Sequence, residues 1–377
     1  MKTMIETTAA RGVTGLFVGL ATLDLIQRVP ALPAANTKVT AQWQELSAGG
    51  PALNAAVTFA ALRGHAVLIT RVGSGTVGQL VTADLRRCGV TVVDAALLEP
   101  EAAGHGRTEQ VPTSGFEPAV SAITVDASTA DRQIVSTDAG RPTPLSSRGR
   151  GALQAQLTAH LSDAAVVLLD GHHPDLAHAV LDVLDACQAP DQPEVGAGPV
   201  PQLIAAGQRP VILDAGRWKP QLVDLLPRCT DIVCSADFVL PQSGSQAEAS
   251  GDGLLEQLVE GGATLAAVSD GPRPIRWRTA VDIPIADADA AGGATRPDRA
   301  TGAIRVPSAE AIDTLGAGDA LHGGYAWGLA SAQPTEHPAA LDRIGALTFA
   351  ARVASLSTCH LGTRSWLAAV PALLNRA

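Results

Sequence analysis

Lysine is almost missing from this chain. Only Lys2, Lys38 and Lys219 occur among 377 residues, and none follows a glycine and precedes a serine or threonine. That excludes the Gly-Lys-Ser/Thr turn with which P-loop enzymes cradle nucleotide phosphates. Protein-kinase signatures are missing as well. Cysteine is scarce too: Cys88, Cys187, Cys229, Cys234 and Cys359 are odd in number, far apart and without a Cys-x-x-Cys pair. A disulfide framework or a cysteine zinc site is excluded on that spacing, and reduced thiols in a cytoplasmic setting are the expectation. Positive charge is in deficit, 27 Lys and Arg against 37 Asp and Glu, a net −10. Such a balance argues against a nucleic-acid partner. No apolar run reaches the length needed to cross a bilayer, so no membrane partner is expected. The first twelve residues contain Glu6 and lack the long apolar centre of a secretory signal.

What remains is an apolar chain, 46% hydrophobic and 17% charged, long enough to bury a large core. Its early part alternates apolar and polar residues. Leu23–Val29, Thr37–Leu46, Thr108–Val111, Ala119–Val125 and Ile134–Thr137 read as half-exposed strands. Elsewhere buried-type strands alternate with helices. The strands are Gly15–Leu20, Ala66–Val72, Val90–Val93, Ala165–Leu169, Val211–Asp214, Asp231–Cys234 and Thr264–Val268. The helices are Pro51–Arg63, Thr76–Cys88, Gly151–Leu161, Asp175–Cys187, Lys219–Leu226, Gly253–Glu260, Gly316–Ala330 and Leu341–Ala354. That rhythm implies a parallel sheet covered on both faces, with the half-exposed strands projecting as a small separate sheet. Residues 188–207 and 286–302, rich in Pro, Gly, Ala and Asp, read as flexible surface insertions.

The segment with the most chemistry is Asp313-Thr314-Leu315-Gly316-Ala317-Gly318-Asp319, which opens a helix. Glycines let backbone approach a ligand, and the free amides of a first helical turn favour an anion such as phosphate. A carboxylate there is placed to accept a proton from an attacking hydroxyl. The same residues also suit a tight turn with an acidic dipole partner. A rival segment, Gly73-Ser74-Gly75-Thr76-Val77-Gly78, fits G-x-G-x-x-G between a strand and a helix, the context of a dinucleotide site. An earlier strand and helix already precede it, which weakens a dehydrogenase reading.

Three pieces decide between these readings: Gly19 followed by Asp24; Gly49-Gly50-Pro51-Ala52-Leu53-Asn54 running into a helix; and the Asp313–Asp319 segment. Together they resemble the ribokinase-like (PfkB) carbohydrate kinases over nearly the whole chain, with spelling nearest to the ketohexokinase and sulfofructose kinase-like branches. Within that resemblance Gly73–Gly78 corresponds to the family's G-x-D-x-x-G turn, with Gly75 where an aspartate is usual.

The resemblance implies a single domain over 1–377, a ribokinase-like three-layer α/β/α sandwich with a mostly parallel central sheet. A small β-sheet lid would come from about 24–48 and about 104–138. It implies an ATP-dependent kinase phosphorylating a primary hydroxyl of a small carbohydrate such as a ketose or pentose. Asp319 corresponds to the catalytic base, and Gly316, Ala317 and Gly318 to the anion hole that meets the transferring phosphoryl. Asp24, Gly49, Gly50 and Asn54 correspond to the sugar-binding residues, and Gly271 to a nucleotide-side turn. ATP, Mg2+, a monovalent cation such as K+ and homodimerisation through the lid also follow from the resemblance. A nucleoside kinase of the same fold and a non-catalytic sugar-binding regulatory relative remain as alternatives.

The chain departs from the family where many members carry Asn-x-x-Glu. Here it reads Ser235-Ala236-Asp237-Phe238-Val239, so the residues that hold magnesium are not assigned. Other candidates come from their place at strand ends. Asp170 and His172 are candidate substrate contacts, because ligands of parallel sheets bind at the carboxyl edge. Arg217, Lys219, Arg132 and Arg141 are candidates for an anionic substrate or for nucleotide phosphates.

Overall fold

A computed structural model describes residues 12–98, 115–129, 132–137, 144–188, 209–241, 251–280, 300–332 and 342–375. Arg141, the strand expected at 108–111 and residues 189–207 of the first insertion lie outside them, as does 286–299 of the second.

Two sheets organise the described chain. The larger has nine strands in the order β13-β12-β11-β10-β9-β8-β1-β4-β5. Its centre is β1 (Thr14–Val18), flanked by β4 (His65–Thr70) and β8 (Ala164–Leu169). β5 (Thr91–Asp94) closes one edge. β9 (Val211–Ala215), β10 (Asp231–Ser235) and β11 (Leu265–Asp270) continue the other side, all parallel. Sequence reasoning missed the far edge, where β12 (Arg273–Thr279) and β13 (Thr301–Ile304) turn back antiparallel. The alternation of buried Ile275, Trp277 and Thr279 with Arg276 and Arg278 was a readable signal there. β13 also takes up the end of the stretch read as an insertion.

The parallel strands are near-continuous apolar runs because helices cover both faces. On one face Leu16, Val18, Val67, Ile69, Val167, Leu169 and Leu213 meet α3 (Ser147–Leu161), α4 (Pro174–Gln188) and α5 (Asp252–Glu260). On the other, Phe17, Leu68, Val166, Leu168, Ile212 and Val233 meet α1 (Pro51–Ala61) and α2 (Thr76–Arg87). α6 (Ala317–Ser331) and α7 (Arg343–Thr358) complete that layer, and a short α8 (Val370–Leu374) follows. The helix expected over Lys219–Leu226 is instead two short 3-10 turns, Pro220–Leu222 and Leu226–Arg228; Pro227, in the second, has no N–H with which to continue a helix from the first. Among the described residues no helix is long and apolar enough to cross a membrane.

The smaller sheet has the order β3-β2-β6-β7, from β2 (Thr22–Val29), β3 (Trp43–Gly49), β6 (Ala119–Asp126) and β7 (Arg132–Ser136). Its inner side buries Ile26, Ile123 and Val125, with Trp43, against Leu315 of the Asp313–Asp319 loop. This small sheet therefore covers the carboxyl edge of the large one. The edge strand β7 is exposed along its length.

Candidate active site

The site is assembled where β1, β8, β9 and β10 end, beneath the small sheet. Gly316 caps α6 with φ +75°, a left-handed conformation that glycine takes without strain. Asp319 then falls in the first helical turn, where the amides lack intrahelical acceptors. A Cβ on Gly318 would meet open space, so this face of the turn is accessible.

Asp313 shapes the loop from below. It is buried, and its carboxylate accepts the amides of Leu315 (2.9 Å) and Gly362 (3.0 Å), tying the loop to the segment after α7. That segment also meets the small sheet. Glu45 accepts from Thr363 at its amide (3.2 Å) and its hydroxyl (3.0 Å), and Ser47 Oγ lies 3.1 Å from the same hydroxyl. Arg132 of β7 donates to Thr314 Oγ1 at 2.9 Å.

Asn54 and Asp319, far apart in sequence, are joined directly. Asn54 Nδ2 donates to Asp319 Oδ2 at 2.7 Å, and Asn54 Oδ1 accepts from Arg364 Nη1 at 3.1 Å. The arginine thereby fixes which way the amide points. Arg364 also donates to Asp84 Oδ2 (3.2 Å) and to the carbonyls of Ala48 (2.5 Å) and Thr363 (3.1 Å).

Asp24, on β2, is buried and accepts from Thr22 Oγ1 at 2.8 Å. Burial raises its carboxyl above the usual range, against hydrogen bonds from Thr22 and Ser121 and the charge of Arg364. Gly49 and Gly50 are explained by close approach within the protein. A Cβ on Gly49 would stand 1.9 Å from Asp24 Oδ2, and one on Gly50 (φ +107°) would stand 2.3 Å from the Leu20 carbonyl oxygen. The glycine pair is thus what lets α1 begin beside the Asp24 carboxylate.

Asp170 is placed differently from the sequence expectation of a substrate contact. It is 1% exposed, and its oxygens accept the amides of Leu20 (2.8 Å), Ala52 (3.2 Å) and His172 (2.9 Å). Its carboxylate fills the space a Cβ on Gly19 would occupy. Asp170 therefore stitches β8 to the end of β1 and to the first turn of α1, where the helix dipole favours an anion. Burial opposes its ionisation, yet the charges of His172 and Lys219 and the amide bonds bring its carboxyl below the ordinary range. His172 itself is half-buried beside it. Lys219 donates to the Asp170 carbonyl at 3.1 Å, and exposed Arg217 pairs with Asp237 at 3.4 Å.

Asp214, at the end of β9, is a residue the sequence did not single out. Burial raises its carboxyl, and neighbouring Asp170 adds to that, against His322 and Lys219. Asp319 is pushed up to about 7, first by burial and then by the Asp214 charge, against Asn54 and His322. A carboxyl in that range takes up and releases a proton near neutrality, the condition general base catalysis asks for.

The G-x-G-x-x-G turn is already filled. The amides of Val72 (2.9 Å) and Gly73 (2.8 Å) donate to Asp94, and the Glu117 carboxylate lies where a Cβ on Gly75 would stand. Protein carboxylates thus occupy the positions a pyrophosphate would need. Gly271 (φ +53°) forms the turn between β11 and β12. Near it a cleft of about 530 Å³ runs between Ser235, Phe238, Asp252, Leu254, Asp270 and Arg276.

The pfkB family carbohydrate kinase profile matches residues 16–96 and 201–369, more than half of the chain. The chain belongs to that family, and is a phosphotransferase with an alcohol group as acceptor. Its fold is that of ribokinases. Ribokinase from Giardia lamblia superposes with a TM-score of 0.68 at 19% identity, over 97% of this chain and 99% of that one. Fructokinase from Xylella fastidiosa, solved with bound ATP, gives 0.60 at 18% identity over 96% and 98%. Arabidopsis thaliana ribokinase, complexed with ribose and ATP, gives 0.59 at 17% identity over 96% and 98%. A search among curated sequences matched none.

Proposed function

We propose that this carbohydrate kinase transfers the γ-phosphoryl of ATP to a primary hydroxyl of a small sugar, with Asp319 as general base. The observation that carries this reading is the Asp319 carboxyl itself. It stands in the first turn of a helix, held by Asn54 at 2.7 Å and poised near neutral pH. Asn54 occupies Oδ2, which leaves Oδ1 to accept the hydroxyl proton. The amides of Gly316 and Gly318 are offered to the developing charge on the phosphoryl, where fixed dipoles stabilise a transition state most, while the Ala317 amide donates to the Thr314 carbonyl at 3.3 Å and would have to leave it to join them. Asp24 supports the sugar by accepting hydroxyl hydrogen bonds at its second oxygen.

ATP comes with Mg2+, which neutralises phosphate charge. Among the described residues no group of three or more His, Cys, Asp or Glu side chains stands together as a metal site. Asp237, the acidic residue nearest the missing Asn-x-x-Glu, is exposed and paired with Arg217. The metal would therefore be held chiefly by the triphosphate and water. The small sheet, resting on Leu315 and bonded to Thr314 and Thr363, is placed to exclude water from the reacting centre.

Asp319→Asn is expected to lower turnover by roughly 10²- to 10⁴-fold while ATP and sugar still bind. Turnover would be followed in a coupled assay across ketoses, pentoses, sulfosugars and nucleosides, with binding measured by thermal shift. Turnover close to wild type in that variant would remove Asp319 from the role. A preference for nucleosides would move the substrate to the nucleoside class.

A further inference from the structure

His322 stands one helical turn after Asp319, is 4% exposed, and meets acceptors at both ring nitrogens. Nδ1 is 2.7 Å from the Gly318 carbonyl oxygen and Nε2 is 3.1 Å from the Val233 carbonyl oxygen. Carbonyl oxygens have no proton to give, so each contact needs an N–H on the ring. A neutral imidazole has one N–H and would set a lone pair against the other carbonyl. Only the doubly protonated ring satisfies both.

A buried cation is costly unless paired, and the partner is at hand. Asp214 Oδ2 lies 3.3 Å from Nδ1. The other charged groups around this site are Asp319 on α6, Asp170 and His172 after β8, and Lys219 after β9. α1 carries no ionisable side chain. α7 carries Arg343, engaged by Asp231, and Arg352.

We propose that His322 is held as a buried imidazolium that locks the first turn of α6 to the sheet edge, beside the proposed base Asp319. The ring joins three pieces: the Gly318 carbonyl in the proposed anion hole, the Val233 carbonyl on β10, and the Asp214 carboxylate on β9. Its positive charge offsets that of Asp214, which otherwise adds to the cost of ionising Asp319. His322 is a positioning residue, since its bonds go to protein groups and not to substrate. The inference rests on Asp319 being the base.

The test is His322→Gln, a neutral side chain able to donate to one carbonyl. Its kcat/KM would be measured against pH beside the wild type. A base works only when deprotonated, so kcat/KM falls below its pKa. Losing a nearby opposite charge raises the pKa of a carboxyl by about one unit or more, and the His322 charge is among those that act on Asp319. The acid limb should therefore move up by about one pH unit, a roughly tenfold loss below it, with recovery at higher pH. A lowered profile with its limb unmoved would overturn the inference and leave a structural role.

Nitrogen-15 spectra of histidine-labelled wild-type protein give a reading independent of the variant's folding. Both His322 ring nitrogens protonated at pH 7–8 supports the proposal, and a single protonated tautomer overturns it. Asp319→Asn separates the two layers. Retained turnover there sinks the base assignment, whereas an inactive Asp319→Asn with an unmoved His322→Gln limb sinks only this inference.

Discussion

Asp319, the proposed base, carries a cost to the fold. Burial and Asp214 hold its carboxyl near 7 against an ordinary value of 3.8. Ionisation is therefore harder in the folded state than in the unfolded chain. Stability from this group is full at low pH, falls as pH rises from about 4 to about 7, and stays low above that. Asp319→Asn removes the penalty and keeps the Asn54 contact within reach. The variant should melt higher than wild type at pH 8, by about 2 °C or more, and match it near pH 4. Melting curves of the ligand-free proteins at the two pH values check this, and equal melting points at pH 8 would contradict it. At this scale the sequence was informative about Asp319, Asp24 and the Gly49–Gly50 pair, because each sits in a compact local motif. It was silent on Arg364, Asp84, Asp214 and the bonds of His322. Each of them acts on a partner remote in sequence, 36 positions away for Asp84 and Ala48 and up to 316 for Arg364 and Ala48, and no local pattern marks such a contact.

At the scale of elements, three glycines in α6 let it pack closely. A Cβ on Gly323 would lie 2.4 Å from the Ala55 carbonyl oxygen of α1, and those on Gly324 and Gly328 would press into α7 near Ala350 and Ala346. Gly323→Ala tests which effect wins. Helix propensity would favour alanine by about 1 kcal/mol, whereas overpacking costs about 1–3 kcal/mol. Backbone does not yield as a flexible side-chain tip does, so the variant should be less stable in urea titration. α1 carries Asn54 and α6 carries Asp319, so pushing the helices apart should also lower kcat. An unchanged midpoint with unchanged kcat would refute the close-packing argument. The strand–helix alternation was legible because buried parallel strands and amphipathic helices leave periodic patterns. The antiparallel β12–β13 pair and the 3-10 turns at 220–228 were not read, since short edge strands and single turns leave weaker ones.

Across the whole molecule, polar clusters sit at both ends of the sheet. At the carboxyl edge they form the site. At the opposite end Asp231 is fully buried and gathers Arg343 Nε (2.7 Å), Tyr325 Oη (2.7 Å) and Thr230 Oγ1 (2.6 Å). This cluster joins the start of β10 to α6 and α7, two residues before the Val233 carbonyl that meets His322. Arg343→Met would leave a buried carboxylate without its charge partner. The expected loss is about 3–5 kcal/mol in denaturant unfolding, with kcat/KM of the folded protein little changed. A loss under 1 kcal/mol would show that water reaches Asp231.

The sequence by itself determined the reaction class and the layered architecture. Both rest on short-range patterns: the Asp313–Asp319 turn, the Gly49–Asn54 helix start, and the periodicities of strand and helix. Only the tertiary structure decided how the proposed base is held and poised. Asn54, Asp214 and His322 act on Asp319 from α1, β9 and α6 itself, and Arg364 of the C-terminal segment orients Asn54. Burial and charge at a single point depend on every element that meets there, and that convergence exists only once the chain has folded.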